Sequence, residues 1–485
     1  MVQIPPLQLS VRSPCSSPIL ASPAGRSLIS AVVLAAGVVA GVMVTRPSLV
    51  AWPRGVRPGL GVGTGVVCAG ITWLTLDTIN QLRRGRNQFP RLAKMAGVVA
   101  VGWLSVTAAK ALVGSRADRD GLRPDRAFAA TPGSPWVSGS LDSAVDATTL
   151  GREGARFVHS YTPAAAINEV WMTDDPPVSP IRIFIGVETA ATVADRVAVA
   201  IAELERTGAF DRQMLCVIAP AGSGYVNPTP ISILEIATRG DCATVAVGYG
   251  LRPSFLSLDR VDVAADTQLL LLAGIIDALA ARAKPARLVL YGESLGAGVQ
   301  QAGLNRMAPT GGCLPGAVDR ALWVGTPGGA GRDVFRARLD AAGIAHGTVD
   351  HPGQISTQHD PRVWFLEHDA DPVVRFAPDA LWRQPAWLNE KPRGSGVPAS
   401  MSWRPVVTWV QLLVDTFFAT NIRPGDFQAR AHDYRADLGE VVRAAFALPM
   451  SDAAGQRLER VLRELEQDRA ILISHHEFRP GHEAN

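Results

Sequence analysis

Residues Gly292-Glu293-Ser294-Leu295-Gly296 read G-x-S-x-G. The pattern carries chemistry when it lies between a strand and a helix. A serine on a very tight strand-to-helix turn has its hydroxyl pushed into the open. Flanking glycines let the strand and helix pack closely around the turn, and the N-terminus of the next helix favours developing negative charge. A glycine-rich chain produces such a pentapeptide readily by chance, so the flanks decide. Residues 287–291, Arg-Leu-Val-Leu-Tyr, read as a buried strand, and a small-residue helix follows. Ser294 is therefore the candidate nucleophile.

A serine hydroxyl needs a base, and the base needs a third group to orient it. On sheets that carry such an elbow, the acid and then the histidine follow the serine along the chain. Residues 362–366 read as a late strand, and Glu367-His368-Asp369-Ala370-Asp371 leaves its end. Asp371 is the candidate acid and Asp369 its close rival. His432 lies in a loop after Pro424 and Gly425 and before a helical stretch at 438–447, so it is the candidate base. His475, His476 and His482 fall in a polar tail that reads as frayed. For the oxyanion, the Leu295 amide supplies one donor. Gly222, Ser223 and Gly224, in the loop after the strand at 214–218, offer the second. Glu293 reads as a neighbour that shapes the elbow.

These residues need a scaffold that brings them to one edge. Strands are expected at 181–187, 214–218, 243–249, 287–291, 321–324 and 363–366. Helices are expected between them at 191–206, 228–239, 261–283 and 295–307. Short apolar strands separated by helices imply an α/β fold, a mostly parallel sheet covered on both faces. Such sheets place chemistry at the C-terminal ends of their strands, where every residue named above falls.

The 485 residues exceed one ordinary core. The net charge of +3 is small, and no Arg/Lys block interleaved with aromatics marks a nucleic-acid surface. Cysteines number 5, without zinc-like spacing. Buried thiols are expected at Cys216 and Cys242 rather than a bridge. The histidines lack paired ligand spacing, so neither a metal nor another cofactor is expected.

Apolar residues make up 47% of the chain, and the excess lies near the N-terminus. Uncharged runs at 27–45, 58–76 and 95–113 each approach the roughly 20 residues that cross a bilayer as a helix. The loop between the second and third holds Arg83, Arg84, Arg86, Arg91 and Lys94, against Arg46, Arg54 and Arg57 between the first two. The positive-inside rule puts the richer loop in the cytoplasm and the C-terminal domain outside. The organisation expected is an irregular N-terminus (1–26), a three-helix membrane region (27–114), a linker (115–154) and a catalytic domain (155–485). The partner is the lipid bilayer of the cell membrane.

Several segments together resemble the bacterial membrane-associated α/β-hydrolase family. They are Pro180-Ile181-Arg182 with Gly186, Leu204-Glu205-Arg206-Thr207-Gly208-Ala209-Phe210-Asp211 and Gly222-Ser223-Gly224-Tyr225. Gly240-Asp241, Pro253-Ser254-Phe255-Leu256-Ser257, the serine elbow and His432-Asp433-Tyr434 complete the set. The resemblance covers roughly 156–447. It implies an α/β-hydrolase fold behind a multi-helix membrane region. Members often carry glycine just before the histidine, where this chain has Ala431. The activity expected is hydrolysis of a small-molecule or lipid ester through an acyl-enzyme. Acyl transfer through the same intermediate and a non-catalytic membrane scaffold are the alternatives.

Overall fold

The computed structural model describes Leu49 and residues 114–307, 313–419 and 425–477. The three expected membrane runs, the N-terminus at 1–26 and His482 lie outside them. Seven strands, β1 (Ile181–Ile185), β2 (Met214–Ala219), β3 (Cys242–Val247), β4 (Arg287–Glu293), β5 (Val318–Val324), β6 (His346–Val349) and β7 (Val363–Leu366), build one sheet. Its order is β1-β3-β2-β4-β5-β7-β6, and every pairing is parallel. Parallel neighbours need a crossover between them. Helices α1 (Gly151–His159) and α2 (Ala164–Trp171) precede β1. The crossovers use α3 (Val193–Arg206), α4 (Pro228–Ala237), α5 (Val261–Ala280), α6 (Leu295–Met307) and α7 (Ala330–Ala341). After β7 come α8 (Pro372–Arg375), α9 (Val407–Phe418), α10 (Arg435–Ala445) and α11 (Asp452–Glu477).

Local chemistry sets the element ends. Thr192 caps α3 by accepting from the Asp195 amide at 3.1 Å. Asn227 caps α4, with Pro228 at the first helical position, where the missing N–H costs nothing. β1, β2, β3 and β7 are buried along their whole length, as a sheet covered on both faces requires. One helix among the described residues, Leu258–Ala280, is long and apolar enough to cross a membrane. It packs against α6 and α3 and buries Leu271, Leu272 and Ile275, so its apolar face belongs to the sheet's covering layer.

Three expectations need correction. The segment at 115–154, expected to be a linker, is docked on the sheet. Val137 forms a parallel bridge with Arg182 of β1, and both Val137 and Ser138 are fully buried. β6 was not expected. The tail that read as frayed is α11, which contains His475 and His476 and buries Leu458, Val461 and Leu462.

Register places the site. Ala219 pairs with Gly292, Glu293 with Val324, and Val324 with Leu366. The ends of β2, β4, β5 and β7 thus lie on one line. The loops that carry Gly222, Ser294, Gly325 and Asp371 all leave from it.

Candidate active site

Ser294 joins β4 to α6 in a left-handed conformation, φ 56°, which L-residues adopt only at a cost. Its amide donates to the Val324 carbonyl of β5 at 2.9 Å, and its carbonyl accepts from Ala297 at 3.0 Å. The two glycines around it are sterically required. A Cβ at Gly292 would lie 2.9 Å from Ala297 Cα, and one at Gly296 would lie 2.1 Å from the Ala219 carbonyl oxygen. The first lets α6 fold back on its own strand. The second lets the end of β2 approach the elbow. Cys216 and Cys242 are buried free thiols on neighbouring strands.

Asp371 and His432 are brought together. The carboxylate is fully buried and its Oδ2 accepts from His432 Nδ1 at 2.7 Å and from the Tyr434 hydroxyl at 2.5 Å. Its Oδ1 accepts from the Val373 amide at 2.8 Å, capping α8. Three donors fix its orientation. Asp369 is engaged elsewhere, accepting from Arg375 at 2.5 Å and from the Ser395 amide at 3.0 Å. Of the two carboxylates, Asp371 therefore faces the imidazole. Burial disfavours the charged imidazole of His432, but the Asp371 charge and hydrogen bond outweigh it, helped by Glu293 and Asp433, and raise the pKa above 6.5.

The imidazole lies against the turn that follows β5. A Cβ at Gly325 would sit 2.8 Å from His432 Cε1 and 2.9 Å from Tyr434 Cε2. Gly325 directly follows Val324, the residue that holds the Ser294 amide. Ser294 and His432 thus flank one turn. Among the described residues neither the Ser294 hydroxyl nor His432 Nε2 makes a hydrogen bond, so both stay open to a reacting group. An oriented imidazole near a half-buried hydroxyl can accept its proton once a substrate closes the geometry.

The four expected oxyanion donors are not equivalent. Leu295 opens α6, so its N–H has no acceptor within the helix. The Gly222 N–H lies 3.4 Å from Ser254 Oγ, a weak bond. Among the described residues the Ser223 amide has no partner. The Gly224 amide is committed to the Ala221 carbonyl at 2.8 Å, which leaves Ser223 and the weakly held Gly222 as the donors this loop can offer.

Two groups around the site were not singled out from the sequence. His368 is buried, its Nδ1 lies 2.8 Å from the Ala431 carbonyl and its Nε2 lies 2.9 Å from Asp437. With Asp437 ionised both partners are acceptors, a pairing that the protonated ring satisfies with both nitrogens donating. Burial opposes that charge, yet the Asp437 hydrogen bond and charge raise the pKa above 6.5, with the Ala431 carbonyl and Asp371 adding to the effect. His368 stacks on Tyr434 with ring centroids 4.0 Å apart. It anchors Ala431, whose φ of 54° is left-handed. That backbone explains the glycine that often precedes the histidine in the family resembled above.

Asn227 is the second group. Its amide donates to Glu293 Oε2 at 2.9 Å, and Tyr291 donates to the same oxygen at 2.8 Å. Burial pushes the Glu293 carboxyl above the usual range, against the Asn227 hydrogen bond. Glu293 thus ties the loop after β2 to the elbow, which gives its expected shaping role a concrete form. A signal for His368 was present, since it sits beside the acid at a strand end. Its partner Asp437 lies 69 positions away, and nothing local announces the pair.

Among the described residues no group of three His, Cys, Asp or Glu side chains could hold a metal ion. The model of the alpha/beta-hydrolase family matches residues 181–461, from the first residue of β1 into α11, and spans every site residue named above. No curated protein and no solved structure matches the chain.

Proposed function

The chain belongs to the alpha/beta-hydrolase family, and from that premise we propose that it is a membrane-anchored serine hydrolase cleaving a carboxylic ester, with a lipid or lipid-like ester as substrate. Ser294 attacks the carbonyl while His432 takes its proton. Asp371 holds the imidazole tautomer and stabilises the imidazolium that forms. The tetrahedral oxyanion sits between the Leu295 amide and the Gly222–Ser223 amides. Losing one such donor typically costs about 10²–10³ in turnover. His432 then protonates the leaving alcohol, and water releases the acyl group by the same steps in reverse. The anchor is the apolar region at 27–114, with the catalytic domain on the outer face of the cell membrane.

The observation that carries this reading is the buried Asp371–His432 pair, 2.7 Å apart, set against the turn that also holds the strained Ser294. The test is covalent labelling of the full chain by a fluorophosphonate probe. Wild type is expected to label at one site, and Ser294→Ala and His432→Ala to lose the label. A folded wild type that does not label, or a Ser294→Ala variant that still does, refutes the assignment.

A further inference from the structure

A cavity of about 360 Å³ lies on the other side of the loop after β2, lined by α1, β1, that loop and α11. Its volume falls within the ~300–1,000 Å³ of small-ligand pockets. Phe157, Val226, Pro228 and Ile473 give it apolar walls. Four charged side chains that line it are each paired. Glu153 is bonded to Arg156 at 3.0 Å, and Arg156 also reaches Asp125 at 2.5 Å. Arg182 is held by Glu235 at 2.6 Å and 2.9 Å and gives its remaining nitrogen to the Phe157 carbonyl. Glu466 accepts from Arg435 and from the Gly425 amide.

Arg469 is different. It lines the cavity from α11, and among the described residues it has neither an ion-pair nor a hydrogen-bond partner. Tyr225 lines the same cavity, and its hydroxyl likewise has no partner among the described residues. Burial, followed by the neighbouring Arg182, pushes the Arg469 pKa below its ordinary value, against the opposing influence of Tyr225, Glu466 and Glu235. None of these groups is bonded to it, so its donors remain available to the cavity. A guanidinium presents a planar fork of donors that matches a carboxylate.

We propose that this cavity binds an amphipathic monocarboxylate, its carboxylate held by Arg469 and Tyr225 and its hydrocarbon part against Phe157, Val226, Pro228 and Ile473. The site adjoins the loop that carries Gly222 and Ser223, so an occupant would touch the element that presents the oxyanion donors. The inference rests on the cavity and its unpaired charge, and stands whether or not Ser294 is a nucleophile.

The test uses the full chain and thermal unfolding with two probes, hexanoate and its neutral analogue hexanamide. A ligand that binds only the folded state raises the midpoint saturably with concentration. Hexanoate is expected to do so, with hexanamide at least about tenfold weaker, because an arginine–carboxylate bond is charge-assisted. Arg469→Gln should weaken hexanoate by a similar factor, and Arg469→Lys should recover part of it. A cooperative unfolding transition of each variant without ligand reports whether it is folded, and fluorophosphonate labelling leaves the serine chemistry as a separate readout. Ser294→Ala should bind hexanoate as wild type does. No saturable hexanoate effect, equal effects of the two probes, or undiminished binding by Arg469→Gln would each overturn the proposal.

Discussion

Replacing His368 by alanine tests whether the imidazolium behind the site holds the loop of His432. The substitution removes both ring donors at once. The Ala431 carbonyl and the Asp437 carboxylate, only 5% exposed, are then left without them. Breaking a buried charged pair by removing one partner typically costs about 3–5 kcal/mol, a large part of the ~5–15 kcal/mol that holds a domain folded. His368 also stacks on Tyr434, which donates to Asp371, so orientation of His432 should loosen as well. The assay is urea unfolding followed by tryptophan fluorescence, with fluorophosphonate labelling rate as the second readout. The pH dependence has a definite sign. The folded-state pKa is raised above the ordinary histidine value. The stabilisation is therefore fully present below about pH 6.5 and is lost as pH rises through the raised pKa. The gap between wild type and His368→Ala should accordingly be widest in mild acid and narrow in alkali. A cost under about 1 kcal/mol, or a gap that widens with pH, refutes the argument that His368 is a doubly donating cation.

Three further outcomes follow from the site's geometry. Because Asp371 and Glu293 raise the His432 pKa, the labelling rate should fall in acid with its half-maximum above pH 6.5, and Glu293→Gln should move that midpoint to lower pH; a wild-type midpoint below the ordinary value contradicts the assignment of the base. Gly296→Ala drives a Cβ to 2.1 Å from the Ala219 carbonyl oxygen and should abolish soluble expression, whereas Gly331→Ala, in α7 with nothing within 4 Å, should be neutral or stabilising by up to ~1 kcal/mol. Ala431→Gly relieves a left-handed backbone at φ 54° and should raise the urea midpoint by an amount worth roughly 0.5–1 kcal/mol; a loss of stability would mean the loop is not strained there.

The sheet and the serine elbow were legible because their signals are local. A run such as Met214–Ala219 is apolar throughout and bounded by turns, so burial on both faces reads off directly. β6 is only His346-Gly347-Thr348-Val349 at the sheet's edge, with one neighbouring strand and Thr348 exposed, and it lacks an apolar run. The segment at 115–154 reads as a linker because its docking rests on scattered contacts without periodicity, among them the bridge at Val137, the buried Val145 and Leu150, and the Ala144 amide on Glu203. In α11 the spacing was visible in Leu458, Val461 and Leu462, but polar residues on the remaining faces outweighed it. Within the site, Asp369 and Asp371 stand two positions apart with the same chemistry. Only the fold shows that Arg375 holds one and His432 the other. The cavity around Arg469 was beyond reach for a similar reason, since its walls come from four separate elements.

The distribution of backbone strain bears on whether the site is used or merely inherited. Among the described residues, the non-glycine residues with left-handed φ are Met172, Arg239, Ser294, Asp360, Val406, Ala431 and Ala447; Met172, Arg239 and Ala447 lie one or two positions past the ends of α2, α4 and α10, where such a turn satisfies the last helical carbonyls. Ser294, Asp360, Val406 and Ala431 have no such excuse. Ser294 starts a helix and Ala431 sits in a loop, and each costs on the order of 1–3 kcal/mol. Both are held by hydrogen bonds from neighbouring elements, Ser294 through the Val324 carbonyl and Ala431 through His368. Strain of this kind persists where the surroundings over-determine the conformation, and two of these four positions are the candidate nucleophile and the residue before the candidate base. A chain using the sheet only as a scaffold would gain stability by relaxing both positions. Retaining them at the same edge of the sheet favours chemistry over a structural role.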